Sequence, residues 1–386
     1  MKYTNEKWVR VLTHMIVFCL GILVVLVPVT LHRDQGTTKL EALEELIQQR
    51  FIGEADTEAM ENAAAGAMVD ALGDRWSYYL SAQDYQTHLE TMNNAYVGIG
   101  ITILTANDGS GFVIRAVTEG SGAAEAGLQP EDVVIAVAGQ DVRDMSSSDL
   151  RTLVRGEEGT RVEVTVVRGE EEQTFSVERR RYETPVATGK LLSGNVGLVT
   201  IENFDTRCAQ ETIAAIEDLI AQGAERFLFD VRNNPGGYAQ ELIKVLDYLL
   251  PEGEIFHTEY YDGREEISQS DAACLGLPMA VLVNGDSYSA AEFFAAALQE
   301  YEAATVVGTQ TCGKGYFQQT YELTDGSAVG LSVGKYYTPK GENLAGIGIT
   351  PDIVVELTEE EDRALLANQL APEEDPQIQA ALKALN

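Results

Sequence analysis

Val281-Leu-Val-Asn-Gly-Asp-Ser-Tyr-Ser-Ala-Ala-Glu292 reads as three things in a row: an apolar run, a tight turn, and the start of an alanine-rich helix. Such a strand-turn-helix unit belongs to an α/β layer and lifts its last turn residue, Ser289, to the end of a strand. The helix start adds free N–H groups and a positive dipole end, so Ser289 is a good place for a nucleophile. A serine still needs a base. The four histidines are His14, His32, His88 and His257. The first falls in an apolar span and the second at its edge. A lysine buried among small apolar residues can serve instead, because burial disfavours its charge and lowers its pKa. Lys314 lies twenty-five positions on, in Val306-Val-Gly-Thr-Gln-Thr-Cys-Gly-Lys314-Gly315. Ser–Lys pairs are a known variant of the serine triad.

Around these blocks, strands and helices alternate from residue 183. Val196–Ile201 is expected as a strand, Ala209–Gln222 as a helix, Arg226–Val231 as a buried strand and Gln240–Leu250 as a helix. Between them sits Asp230-Val-Arg-Asn-Asn-Pro-Gly-Gly237, whose glycines let backbone N–H groups turn toward a reacting oxygen.

The three blocks resemble the carboxyl-terminal processing proteases, a serine-lysine peptidase family with an embedded PDZ domain. The family's N-x-x-S-A-S-A-S-E pattern falls on Asn284–Glu292, with departures at Tyr288 and Ala291, neither chemically required. G-K-G-x-x-Q falls on Gly313–Gln318, and D-L-R-x-N-x-G-G on Asp230–Gly237. The resemblance runs from about residue 39 to the end of the chain. It implies Ser289 as nucleophile, Lys314 as base and Gln318 as the group that orients the lysine. It also implies an oxyanion hole from Gly236 or Gly237 with Ala290. The implied fold is mixed α/β and multidomain: an N-terminal transmembrane helix, a helical segment, a PDZ domain and a crotonase-like (ββα) protease core. No metal or organic cofactor is implied.

Residues 95–182 fit the PDZ part. A glycine-rich lead, Gly98-Ile99-Gly100, opens a strand, and Ser121–Leu128 reads as a short helix with a glycine stop. Ser147–Val154 reads as a serine-capped helix, and Val162–Arg168 with Glu172–Val177 as a hairpin. In PDZ domains amides of the lead hold a peptide's terminal carboxylate while the peptide adds a strand. The resemblance carries that role to Gly98, Ile99 and Gly100, so the expected partners are protein or peptide substrates with accessible C-termini.

The remaining segments set boundaries. Residues 11–31 carry no formal charge, which is long enough to span a bilayer, and Lys2, Lys7 and Arg10 precede them. They are expected as a signal anchor, with residues 1–10 cytoplasmic and the catalytic part extracytoplasmic at the cell membrane. The rival is a cleaved signal peptide, against which stand the length of the run and the lack of an A-x-A-like site after it. Residues 32–94 are expected to be helical, 183–357 to be the protease core, and 358–386 an acidic, weakly helical tail. Within the helical region, Asp74-Arg-Trp-Ser-Tyr-Tyr-Leu80 reads as a capped turn with buried aromatics. The net charge of -34 argues against nucleic acid as a partner. Cys208, Cys274 and Cys312 have no zinc spacing, a disulfide among them stays open, and a homo-oligomer is compatible with the chain.

Three rivals compete with this reading. A Ser-His-Asp hydrolase would have only His88 and His257 clear of the apolar span and its edge, and Ser289 does not lie in a G-x-S-x-G pattern. An inactive PDZ scaffold at the membrane would have no need of Ser289, Lys314 and Gln318. A nucleotide-binding loop fits Gly308–Lys314, but Gly315 stands where Ser or Thr should hold magnesium and a strand is expected where a helix is required.

Overall fold

A computed structural model describes residues 38–106 and 109–385. The expected anchor over 11–31 lies outside them, and no described helix is long and apolar enough to cross a membrane. The described chain falls into two compact units, divided after Ala71.

The first unit holds two helices, Lys39–Arg50 and Thr57–Asp70. Thr38 and Glu41 close the first turn of the former reciprocally, the side chain of each accepting from the other's backbone N–H. Asp56 caps the latter by accepting from the Ala59 N–H.

The second unit is built on a six-stranded sheet. Its order is Ala187–Leu192, Val196–Ile201, Arg226–Asp230, Met279–Val283, Ala304–Gly308 and Ile353–Val354. All neighbours are parallel except the first pair. Met279–Val283 is buried at every position, as a strand covered on both faces must be. Helices Cys208–Ala221, Ala239–Leu249 and Ala290–Glu300 pack on one face. The last is buried without interruption from Ala290 to Leu298, so it is an interior helix and its alanines allow close approach. Phe293 and Phe294 point into that core, each worth about 1.5–3 kcal/mol in burial.

The other face is covered by Pro376–Ala384, through Ile378 and Ala381 packed against Leu228, Ala280 and Leu282. The segment 358–386, set apart as a tail by its acidity, therefore completes this core. Its acidic residues cluster in the exposed helix Glu359–Leu366, while the apolar spacing that docks the second helix is only nine residues long.

A second sheet brings Tyr78–Leu80, Ala328–Tyr337, Gly253–Tyr260, Glu265–Ser270 and Tyr316–Glu322 together. Residues 72–94 are thus not wholly helical, since Tyr78–Leu80 pairs antiparallel with Ala328–Gly330.

The PDZ part is a separate sheet over its own core of Ile99, Phe112, Ile114, Leu150 and Val164. Gly122–Ala126 ends on Gly127 in the left-handed region, and Ser146 caps Ser147–Val154. Arg161–Arg168 and Glu171–Glu178 form the hairpin. The chain enters through Ala95–Gly98 and leaves through Arg180–Glu183, and these two strands pair with each other.

Candidate active site

Three neighbouring parallel strands end at Asp230, Val283 and Gly308, so the loops that follow them leave the same edge of the sheet. Those loops are the three blocks singled out in the sequence. Open α/β sheets place their sites at this edge for the same reason: the strands run one way and their exits converge.

Hydrogen bonds lace the loops together. The Tyr288 N–H donates to the Asn234 carbonyl at 3.1 Å, and the Cys312 N–H to the Ser287 carbonyl at 3.2 Å. The Ser287 hydroxyl donates to the Val231 carbonyl at 2.7 Å. Asn284 Oδ1 accepts from the Asn233 backbone N–H, and Asn284 Nδ2 donates to Asn233 Oδ1.

Ser289 occupies φ 59° and ψ −124°, a region that a residue with a side chain enters only when its surroundings force it. It ends the turn and opens the buried helix, the geometry of a nucleophile elbow. Glu292, one turn on, is fully buried and accepts four bonds. Its Oε2 takes the Ser289 N–H at 2.9 Å and the Lys314 N–H at 2.8 Å. Its Oε1 takes the Gly313 N–H at 2.7 Å and the Thr311 hydroxyl at 2.6 Å. One carboxylate therefore holds the backbones of both candidate residues. Glu292 was visible in the sequence only as part of a motif; its role needs the lysine loop to arrive beside it.

Gly236 touches the nucleophile. A Cβ built there would lie 2.7 Å from Ser289 Cβ and 2.9 Å from the Ala290 nitrogen, and φ is +88°. Its N–H is already committed to Asn234 Oδ1 at 2.8 Å. Among the described residues, the N–H groups of Gly237 and Ala290 have no acceptor. Of the two glycine amides left open by the sequence, Gly237 is the free one.

Lys314 is half-buried, and burial pushes its amine down to about 8, against the pull of Cys312, Glu292 and Asp74. Its Nζ lies 4.9 Å from the centroid of the Trp76 ring and 5.9 Å from that of Tyr288. No hydrogen bond joins it to the Ser289 hydroxyl. Gln318 does not reach the lysine either. Its amide nitrogen donates to Ser332 Oγ at 3.0 Å and to the Tyr316 carbonyl at 3.4 Å.

Asp74–Ser77 does form a turn, with Asp74 accepting from the Trp76 N–H and the Ser77 hydroxyl. It also lies against the site, which its local pattern gave no sign of. Tyr288, set down as a neutral departure from the motif, faces the lysine too.

Outside the protease loops, Ile101–Thr105 forms an edge of the PDZ sheet and directly follows Gly98, Ile99 and Gly100. Gly100 has φ +77°, and a Cβ there would meet Ser121 Cβ at 2.2 Å. His88 packs against Tyr78 and His257 against Tyr337 with tilted rings, and neither hydrogen bonds to Ser289. Lys314 is followed by the strand Tyr316–Glu322, so no helix N-terminus faces a phosphate there. Cys208, Cys274 and Cys312 are unpaired.

Comparison with known proteins fits this arrangement. The family model for peptidase family S41 matches residues 195–355, and that for the PDZ domain matches 113–168. A carboxy-terminal processing protease CtpA of Bacillus subtilis is 31% identical over 327 residues, covering 84% of this chain and 70% of the relative. The chain belongs to peptidase family S41. A probable CtpA-like serine protease of Staphylococcus aureus is also 31% identical, over 328 residues and 84% of this chain. The chain spans 66% of that relative's length. An S41 protease structure from Bacteroides fragilis shares the fold, with a TM-score of 0.57 at 18% identity, covering 89% of this chain and 96% of the other. Within the S41 match lie all three loops of the site; Trp76 lies outside it.

Proposed function

We propose that this chain is a membrane-anchored, extracytoplasmic serine endopeptidase that works through Ser289 and Lys314 on protein substrates presented by their C-termini. The observation that carries the proposal is the shared carboxylate: Glu292 Oε2 accepts from the N–H of both residues, fixing one backbone relative to the other. Neutral Lys314 takes the hydroxyl proton as Ser289 Oγ attacks the scissile carbonyl carbon. The carbonyl oxygen gains the negative charge and is held by the N–H groups of Gly237 and Ala290. The lysine returns the proton to the leaving amine, and the acyl group stays on Ser289. Water then gives a proton to Lys314 as its oxygen attacks the ester carbon. Lys314 passes that proton to Ser289 Oγ as the ester C–O bond breaks, and the released carboxylic acid loses its own proton to solvent.

The PDZ lead Gly98–Gly100, next to the open edge of Ile101–Thr105, suits capture of a terminal carboxylate. The uncharged span 11–31 supports the anchor. Tests are cleavage of an unstructured peptide by the full chain and by its Ser289→Ala and Lys314→Ala variants, both expected to be inactive. The rate of the full chain should rise with pH through about 8 as Lys314 deprotonates. Retained cleavage in Lys314→Ala, or a flat profile across that range, would remove lysine from the mechanism.

A further inference from the structure

Lys314 Nζ rests on aromatic faces instead of on its expected partner. Trp76 and Tyr288 have ring centroids 6.2 Å apart and tilted by 33°, and the lysine nitrogen is within 6 Å of both. The Trp76 ring carries a second cation, since Arg75 Cζ lies 4.2 Å from its centroid. Arg75 Nη2 in turn lies 3.8 Å from Cys312 Sγ on the lysine loop.

This seat is built, not incidental. The Asp74 turn fixes Trp76, and pairing of Tyr78–Leu80 with Ala328–Gly330 fixes the turn. The Ser332 N–H donates to the Ser77 hydroxyl at 3.0 Å, tying the turn to the strand that also receives Gln318.

An ammonium is attracted to a π face by the ring quadrupole, and a neutral amine is not. General-base work requires the neutral amine on the serine hydroxyl. The two protonation states therefore favour two places.

We propose that Trp76 and Tyr288 form the resting seat of the Lys314 ammonium, with Trp76 as the positioning residue that governs its release to Ser289. On release the ammonium gives one proton to solvent, leaves the ring and accepts the hydroxyl hydrogen of Ser289. This rests on the Ser289–Lys314 reading above. The other groups that bear on the amine are Glu292 from the nucleophile helix, Asp74 from the turn, Cys312 from its own loop, the Tyr288 phenol, and Arg75 beside the indole. Arg75 and Tyr288 touch the Trp76 ring and lose that contact when it is replaced, so Arg75→Gln and Tyr288→Leu, read in the same way, separate their contributions from that of the indole.

The test uses the full chain with Trp76→Leu, which keeps apolar bulk and removes the π face, and Trp76→Phe, which keeps a weaker one. In a Ser289→Ala background, the ionisation of Lys314 is read by pH-dependent amine labelling and mass spectrometry. Loss of the ring should lower the midpoint by about half a pH unit to one and a half in the leucine variant, and by less in the phenylalanine variant. In the active chain the rising limb of kcat/KM should move down with it. An unmoved midpoint would overturn the seat. So would an upward shift, which would mean that Trp76 only keeps water out. Should Trp76→Leu fail to fold, Trp76→Phe and Tyr288→Leu carry the same test. Cleavage retained by Lys314→Met would sink the Ser–Lys reading alone, since labelling still judges the seat.

Discussion

Replacing Lys314 by methionine should abolish activity and, at neutral pH, make the protein more stable. Methionine keeps the length and apolar stem of lysine without its charge. Burial holds the folded amine near 8 where an exposed lysine titrates at 10.5. That difference corresponds to roughly 3 kcal/mol by which the fold disfavours the ammonium. Loss of the contacts with Trp76 and Tyr288 gives back about 0.5–2 kcal/mol. The net expectation is a gain of about 1–3 kcal/mol at pH 7. The sign with pH follows from proton counts. Between about 8 and 10.5 the unfolded chain holds a proton on Lys314 that the folded chain has lost, so the stability of the unsubstituted protein rises with pH there. The advantage of Lys314→Met should shrink across that window and stay constant below it. Urea unfolding at several pH values, followed by fluorescence in a Trp8→Phe background so that Trp76 reports, measures it. A variant less stable at pH 7, or a difference that does not vary between pH 7 and 10.5, would refute the reasoning.

Glu292→Gln should lose activity and about 1.5–3 kcal/mol, because the Thr311 hydroxyl can rotate but at least one backbone N–H would face the new NH₂ group unpaired; thermal melts and peptide cleavage check both. Gly236→Ala puts a methyl 2.7 Å from Ser289 Cβ at a positive φ, so kcat should fall at least about 100-fold as the nucleophile is displaced, with peptide binding by the PDZ part unchanged. Arg232, paired in the interior with Asp230 and Asp375, should cost about 3–5 kcal/mol when changed to leucine, measured by urea unfolding.

Much of the site was legible because its three blocks are local. Each is a strand end followed by a turn whose glycines, serine or lysine announce themselves within ten residues. Their convergence follows from parallel order, which alternating strands and helices already imply. What stayed hidden is what no short window contains. Trp76 lies more than 200 positions before Ser289 and reaches it only through the pairing of Tyr78–Leu80 with a strand near residue 330. The choice between Gly236 and Gly237 depends on where the Asn234 side chain turns. The role of residues 376–384 depends on the apolar sheet face of Leu228, Ala280 and Leu282 that they meet.

Strands Ala95–Gly98 and Arg180–Glu183 run side by side, so the PDZ part is spliced into its host through two adjacent ends. A module joined in this way can be removed, exchanged or re-inserted without rethreading the rest of the polypeptide. The surrounding S41 part is thus free to take a different inserted domain while its own three loops stay in place.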